Sequence, residues 1–170
     1  MDKDKQKWIE ESISEYESPL IRYAMGFTRS EDRARDIVQE GFIKLWGQDP
    51  EKLGNGLKAW LYRVCRNRCL DLAKKENRMM ELTDSTIIKK SVNSSSSPSE
   101  ESEKRDDIKL ILQLIEELPE KQKEVLRLKF QHQMSYREIS EVAEITVSNV
   151  GVLLHTGLKQ LRGKLKTLNV

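Results

Sequence analysis

The stretch of sequence richest in side chains that could do chemistry is AWLYRVCRNRCLDLAKKENR, residues 59–78. From Leu57 to Arg78 the chain carries seven basic residues against two acidic ones, a net charge of +5. On a helix, one arc of this segment would gather basic and amide side chains opposite Leu61, Val64 and Leu72. The members of this arc are Arg63, Arg66, Asn67, Lys74 and Asn77. Such a stripe can contact phosphates through its charge and base edges through Arg or Asn.

Two interpretations of this basic stripe compete. It is either a solvated face stabilised by pairs such as Asp71 with Lys75, or a nucleic-acid contact. Trp60 and Tyr62 favour nucleic acid, because aromatic rings beside a basic groove can stack on unpaired bases. Trp60 taken alone is more typical of a core residue.

A second group of polar residues precedes the stripe, in EDRARDIVQEGFIKLW, residues 31–46. Helical spacing presents Asp36, Gln39 and Glu40 outward among apolar neighbours. Carboxylates at this spacing do acid–base chemistry only when a pocket and a second partner are present, and the sequence supplies neither. The remaining interpretations are plain exposed surface and a docking site for a protein partner.

Composition excludes several classes of protein. The 170 residues carry a formal net charge of +2 and are 34% charged, so a nucleic-acid function depends on where the charge lies. Without a long apolar run or an apolar N-terminal stretch, the sequence predicts a cytosolic chain. Cys65 and Cys69 have no His or further Cys nearby and are expected to be small buried residues. With only His132 and His155, and no phosphate-binding glycine motif, we expect no enzyme activity, no metal and no cofactor.

The first half of the chain is predicted to form four helices on one core. Hydrophobic spacing over Ile9, Ile13 and Tyr16 indicates the first, and Ser18-Pro19 is expected to start the second. Ser30 is expected to cap the third, which ends near Gly47. The predicted core face of that helix is Ala34, Ile37, Val38, Gly41, Phe42 and Leu45. GQDPEKLGNG is predicted to be a loop before a last helix from Leu57 to about Arg78.

The second half is predicted to end in a helix-turn-helix. One amphipathic helix would bury Ile108, Ile111, Leu112 and Ile115. A second would start at Pro119 and run through Val125, Leu126 and Phe130. A short helix capped by Ser135, a tight connection and a longer helix capped by Thr146 then follow in the order of a helix-turn-helix. The buried stripe predicted for the last helix is Val147, Val150, Leu154, Leu158, Leu161 and Leu165.

The region between the halves, SVNSSSSPSEESEKRDD, is poor in apolar residues and is predicted to be a flexible linker. The predicted fold class is therefore all-α, with two small helical domains and a helix-turn-helix in the second. The predicted boundaries are residues 1–83 for the first domain, 84–105 for the linker and 106–170 for the second domain.

Three stretches resemble one family in order and spacing. RARDIVQEGFIKLW, LKAWLYRVCRNRCLDLAKKENR and LPEKQKEVLRLKFQHQMSYREISEVAEITVSNVGVLLHTGLKQLRGKL are similar to successive parts of the extracytoplasmic-function sigma factors, a group within the bacterial sigma-70 family. The resemblance implies an initiation factor that binds RNA polymerase core and directs it to promoter DNA, with an anti-sigma factor as a further partner. The alternative is a stand-alone helix-turn-helix regulator.

The resemblance also implies roles for individual residues. Asp36, Gln39 and Glu40 match the polymerase-docking motif, with Phe42 and Trp46 packing behind it. The helix that opens the downstream promoter element, together with the loop from Gln48 to Gly56, would use Lys58, Trp60, Tyr62, Arg63, Arg66, Asn67, Lys74 and Arg78. Upstream promoter contacts would come from Arg137, Thr146, Ser148, Asn149, Val152, His155, Lys159 and Arg162.

The last helix departs from the family pattern. Glu144 stands where a turn glycine is usual, and a non-glycine residue there costs about 1 kcal/mol. Gly151, Val152, Leu153 and Thr156 stand where Lys, Ser, Arg and Arg are common. Val152 shares one face of the last helix with Ser148, His155 and Lys159 and is expected to be exposed. Val152 and Leu153 could contact thymine methyl groups, form a patch for a protein partner, or pack on a neighbouring helix, the last favoured for Leu153. With the first alternative preferred, we expect weaker dependence on upstream DNA than in a typical relative.

Overall fold

The computed structural model describes residues 2–83 and 103–168, which form two compact units, Met1–Val92 and Asn93–Val170. Regular structure in the described residues is helical throughout, and the predicted all-α class is confirmed. Most of the predicted linker lies outside the described residues, so the predicted domain boundaries stay predictions. Within the described ranges, no helix has the length and apolar character needed to cross a membrane.

The first unit is built on three long helices. They are α1 (Asp2–Thr28), α2 (Glu31–Leu45) and α4 (Leu57–Thr83), with the short α3 (Pro50–Leu53) and a 3-10 turn (Gly54–Gly56) between the last two. Ser30 caps α2 as predicted, since its side chain accepts a hydrogen bond from the Arg33 amide. The predicted core face of α2 is buried in full. The three long helices all pack on one another around this face.

The N-terminal helix differs from the prediction, because α1 is continuous and contains Pro19. A proline in a helix interior costs about 3 kcal/mol. One unbroken helix, however, buries Ile9 before the proline and Leu20 and Tyr23 after it. Burying a large apolar side chain contributes about 1.5–3 kcal/mol each, which offsets the proline. The predicted break at Ser18-Pro19 is wrong, and three long helices share the core of this unit instead of the four that were predicted.

The segment predicted as a loop, residues 47–56, contains α3. Asp49 caps this single turn by accepting a hydrogen bond from the Glu51 amide at 2.9 Å. Pro50 occupies the first helical turn, where its missing N–H leaves no bond unmade. At the other end, α4 continues to Thr83, five residues beyond the predicted end at Arg78.

The second unit consists of four helices and an irregular turn. They are α5 (Glu103–Glu116), α6 (Glu120–Leu126), α7 (Tyr136–Ala143) and α8 (Val147–Leu168). Between α6 and α7 the backbone forms a π-helical turn, Arg127–Gln131, closed by the His132 amide donating to the Arg127 carbonyl at 3.1 Å. The order α7, tight connection, α8 confirms the predicted helix-turn-helix.

Local hydrogen bonds fix the tight connection. Ser135 and Glu138 form a capping box at the start of α7. Glu144 ends α7 in the left-handed region, with φ 57° and ψ 44°, so the turn forms without the usual glycine. The Thr146 hydroxyl accepts a hydrogen bond from the Asn149 amide at 3.1 Å, as expected of a helix cap.

Five apolar positions that the helical pattern placed toward the core of the second unit are exposed. Ile108, Ile111 and Leu112 are exposed on α5, whereas Leu114 of α5 and Leu118 just after it are buried. Phe130 is exposed on the π-helical turn, and Val147 is exposed because it opens α8. The core lies where α8 packs on α6 and α7. A Cβ added at Gly157 of α8 would lie 3.1 Å from Leu126 Cδ1, a distance that shows how closely α6 and α8 approach.

Candidate functional site

The outward side of α2 carries the first predicted group. Asp36 and Gln39 are exposed and Glu40 is half-buried, while Ile43 is 69% exposed between them on the same side of the helix. We call the surface formed by Asp36, Gln39, Glu40 and Ile43 the α2 face. Phe42 is buried beneath it, as predicted. Trp46 does not pack behind it, because 47% of this residue is exposed.

The α2 face adjoins α4 through a close helix contact. A Cβ added at Gly41 would lie 3.2 Å from the Cys65 Sγ, so glycine lets the two helices approach. One turn beyond Cys65, the Arg68 Nε donates to the Glu40 Oε2 at 2.8 Å. A second ion pair joins Arg33 of α2 to Glu76 of α4.

The two thiols at this contact are chemically quiet. Cys65 and Cys69 are both buried, as predicted. Burial raises the pKa of each thiol to about 12. The nucleophilic form is the thiolate, so neither side chain is reactive near neutral pH while the unit is folded.

The basic stripe of α4 faces away from the core along the length of the helix. Lys58, Trp60, Arg63 and Arg66 are half-buried near its start, and Asn67, Lys74, Asn77 and Arg78 are exposed farther along. The C-terminal half also borders an open depression. Its lining residues are Arg68, Asp71, Lys74, Lys75, Arg78 and Met79. Cations therefore extend over several turns of one surface, a geometry suited to following a phosphate backbone.

Tyr62 lies elsewhere. It is 1% exposed, and its ring centroid lies 5.1 Å from that of Tyr23 in the core of the first unit. Burial also raises the pKa of its hydroxyl. Stacking on a base requires an open ring face, so the predicted role of Tyr62 in DNA contact does not fit this structure. Trp60 remains the aromatic residue of the stripe with access to solvent.

The outward side of α8 forms the third predicted group, which we call the α8 face. Its members, all exposed, are Ser148, Val152, His155, Lys159 and Arg162. Val152 is 58% exposed and Leu153 half-buried, as their positions on the helix predicted. Thr146 and Asn149 are exposed at the N-terminal end.

Arg137 is exposed on α7, with its Nε 3.8 Å from a carboxylate oxygen of Glu141. Nearby, a Cβ added at Gly151 of α8 would lie 3.7 Å from the Tyr136 ring, an ordinary contact.

Three features of these surfaces were not predicted from the sequence. The ion pair between Glu40 and Arg68 joins residues 28 positions apart and has no local signal. Tyr136, 43% exposed, has the Lys129 Nζ 5.5 Å from its ring centroid. The exposure of Ile43 could have been found, since it shares a helical arc with Asp36 and Gln39. In residues 2–83 and 103–168, no group of three or more His, Cys, Asp and Glu side chains could hold a metal ion.

Family models match both units. A model described as Sigma-70 region 2 matches residues 13–79, and one described as Sigma-70, region 4 matches residues 108–161. The first match contains the α2 face and the whole basic stripe of α4, which we call the α4 stripe. The second contains α7 and most of α8. Together the two matches cover well over half of the chain.

Characterised relatives align over most of their length. The chain is 24% identical over 154 residues to the ECF RNA polymerase sigma factor SigM of Bacillus subtilis, covering 91% of this chain and 93% of SigM. It is 28% identical over 159 residues to the ECF RNA polymerase sigma factor SigL of Mycobacterium tuberculosis, covering 92% and 88%.

Two solved structures share the fold. The sigma factor RpoE, crystallised with the anti-sigma factor NepR from Bartonella quintana, gives a TM-score of 0.71 at 22% identity and covers 94% of this chain and 98% of that chain. CnrH, in complex with the cytosolic domain of CnrY, gives a TM-score of 0.63 at 19% identity and covers 95% and 90%.

Proposed function

The chain belongs to the sigma-70 family and is an RNA polymerase sigma factor, and from this premise we propose how its surfaces divide the work. The α2 face binds the polymerase core, the α4 stripe holds opened DNA, and the α8 face contacts the upstream promoter duplex. One observation carries the proposal. The exposed carboxylates of α2 and the cations of α4 occupy the outer sides of two helices in direct contact, so core binding and DNA contact can occur side by side.

The α2 face suits a basic or mixed protein surface. Asp36 and Glu40 offer carboxylates, and Ile43 offers an apolar centre that a partner would remove from water. Interfaces gain most of their affinity from such buried centres, while the surrounding polar groups exclude water and set orientation. Trp46 extends the surface at the end of the helix.

The α4 stripe suits single-stranded DNA. Arg63, Lys74 and Arg78 can neutralise phosphates, and Asn67 can hydrogen-bond base edges. Trp60 supplies a ring on which an unpaired base can stack, which offsets the few kcal/mol lost on unstacking. The loop through α3 lies next to this helix in sequence and would support the displaced base.

The α8 face is suited to contacting duplex DNA through few base-specific hydrogen bonds. Ser148 and Asn149 lie at its N-terminal end, where a recognition helix contacts base edges. Val152 can contact thymine methyl groups, and Lys159, Arg162 and Arg137 can hold phosphates. Thr146 and His155 complete the proposed contact.

We also propose where the chain acts and which partner it binds besides the polymerase and DNA. The chain acts in the cytoplasm, has no catalytic residue of its own and needs no cofactor or metal. An anti-sigma factor is a further proposed partner, since both structural neighbours were solved with a bound partner. The exposed apolar residues Ile43 and Val152 are where such a partner would gain affinity.

Co-elution with bacterial core polymerase on a sizing column tests the proposal. A variant carrying Asp36→Lys and Glu40→Lys should lose co-elution, because both changes reverse charge on the docking surface. Glu10→Lys with Glu15→Lys, exposed on α1, makes the same change in net charge and should leave binding intact. Equal binding by both variants would reject the α2 face as the docking surface.

A further inference from the structure

The contact between α2 and α4 assigns a function to Arg68, which the proposed DNA contacts leave out. We infer that Arg68 is a positioning residue for polymerase binding: it holds the Glu40 carboxylate in the orientation in which the α2 face meets the core. The inference rests on the proposed docking role of the α2 face. It makes one helix, α4, part of both core binding and DNA contact.

Geometry supports this role in three ways. The Arg68 Nε donates to one carboxylate oxygen of Glu40 at 2.8 Å, and a carboxylate can accept further hydrogen bonds at its other oxygen. Glu40 is half-buried, so its side chain can adopt fewer orientations than a glutamate side chain on an open surface. The guanidinium comes from another helix, so its position is set by the close contact of Gly41 with Cys65 rather than by local chain conformation.

A second ion pair provides a built-in control. Arg33 and Glu76 also join α2 to α4, and both side chains are more than half exposed. Arg33 lies one turn before Asp36 and outside the α2 face. If ion pairing mattered only for the stability of the helix pair, the two pairs would behave alike. Positioning of Glu40 predicts that they do not.

Without Arg68, the Glu40 carboxylate would have more conformational freedom than it has in the ion pair. An exposed glutamate samples several rotamers, and binding must select one of them at an entropic cost. Pairing with Arg68 selects a rotamer before the polymerase arrives. The gain should be modest, about threefold to fivefold in affinity, the scale of a well-placed surface ion pair.

A double-mutant cycle with the full-length chain tests the inference. The dissociation constant for bacterial core polymerase is measured for the wild type, Arg68→Met, Glu40→Gln and the double variant. We expect Arg68→Met to weaken binding about threefold in the wild-type background and to have no effect when Glu40 is already Gln, because it acts through that carboxylate. Arg33→Met should leave binding unchanged.

Other outcomes would overturn the inference. An equal loss from Arg68→Met in both backgrounds would show that Arg68 contacts the polymerase directly. No loss in either background would show that its position is irrelevant. An equal loss from Arg33→Met would reduce the effect to stability of the helix pair, which the thermal unfolding of each variant also reports.

Failure of the underlying docking proposal would be recognised separately. Asp36→Lys does not touch the pair with Arg68, and it should abolish core binding if the α2 face docks. Should Asp36→Lys bind normally, the α2 face is not the docking surface. Should it fail to bind while the cycle shows no coupling, the docking surface stands and the role of Arg68 is wrong.

Discussion

The outer sides of α4 and α8 are both proposed to touch DNA, yet they carry charge differently. Along α4, cations recur from Arg63 to Arg78 over several turns. Along α8, the N-terminal half offers Ser148 and Val152, and cations begin only at Lys159. Non-specific DNA affinity scales with the number of phosphates neutralised. From this difference we expect the first unit to provide most of the affinity for DNA and the second to add position and a limited contribution to sequence choice.

The largest effect is expected from removing cations of α4. Changing Arg63, Lys74 and Arg78 of α4 to Gln should weaken binding to a labelled single-stranded oligonucleotide about a hundredfold, since each solvent-exposed contact contributes about 1 kcal/mol. The slope of log affinity against log salt should fall by about 2, because each lost phosphate contact removes about 0.7. Fluorescence anisotropy at several salt concentrations measures both.

The matched change in the second unit is Lys159→Gln with Arg162→Gln. It should weaken duplex binding about thirtyfold, at about 1 kcal/mol for each of the two contacts, and leave single-stranded binding unchanged. A larger loss from the α8 pair than from the α4 triple would reverse the proposed division between the units.

A rise in pH should lower the stability of the first unit more than that of the second, because both cysteines lie in the first unit. Their folded pKa, about 12, lies above the value near 8.5 expected for an unfolded chain. The buried thiols therefore favour the folded state fully below about pH 8.5, and this stability is lost as the pH rises toward the folded pKa. The free energy of unfolding should fall by about 1.4 kcal/mol per thiol for each pH unit in that window.

Tryptophan fluorescence during urea unfolding measures this effect in the first unit alone, since Trp8, Trp46 and Trp60 all lie there. A variant with both cysteines changed to Ala should show a flatter pH dependence. The same fall in that variant would mean that other groups, such as the buried Tyr62 hydroxyl, dominate.

Two glycines of α8 should respond in opposite directions. Gly157→Ala forces a Cβ to 3.1 Å from Leu126 and should lower the stability of the second unit by about 1–3 kcal/mol. Gly151→Ala meets only an ordinary contact and should raise it by about 0.5–1 kcal/mol through helix propensity. Urea unfolding followed by far-UV circular dichroism measures both, with unchanged tryptophan fluorescence as the control. Equal destabilisation by the two changes would contradict the closeness of α6 and α8 at Gly157.

The smallest expected effect comes from adding charge to α8. Val152→Arg places a cation on an exposed site of the α8 face and should strengthen binding to a non-specific duplex by about fivefold, with a salt slope steeper by about 0.9. Leu153→Arg is the matched control, because that half-buried position should give no gain. Weaker duplex binding by Val152→Arg would favour a protein partner at this site.

Prediction from sequence succeeded where local rules suffice. The cap at Ser30, the core face of α2 and the exposure of Val152 follow from helical periodicity and capping chemistry, which act within a few residues. Membership of the family was also visible, because three motifs occur in order across the chain. The docking and DNA roles of individual residues stay predictions.

The errors arose where contacts between residues far apart in the sequence determine the structure. The break expected at Pro19 is a local rule that burial on both sides of the proline overrides. Tyr62 was placed with the basic side chains by proximity in sequence, but its position on the helix faces Tyr23. The apolar spacing of α5 marked Ile108 and Leu112 as core, yet such spacing does not identify which face a partner helix covers. Glu144 differs from these errors, because local hydrogen bonds explain the result. Its backbone adopts the left-handed conformation that is usual for glycine, and hydrogen bonds of the neighbouring residues hold the turn in place.

The π-helical turn between α6 and α7 has a consequence for how this unit can change by insertion and deletion. Each such turn holds one more residue than an α-helical turn. Removing one residue from Arg127–Gln131 would let the helix close with ordinary spacing and would turn everything after it by about 100° about the helix axis. Gly157 would no longer face Leu126. A single-codon deletion here would therefore damage the helix-turn-helix, whereas a substitution at exposed Phe130 would leave its orientation unchanged.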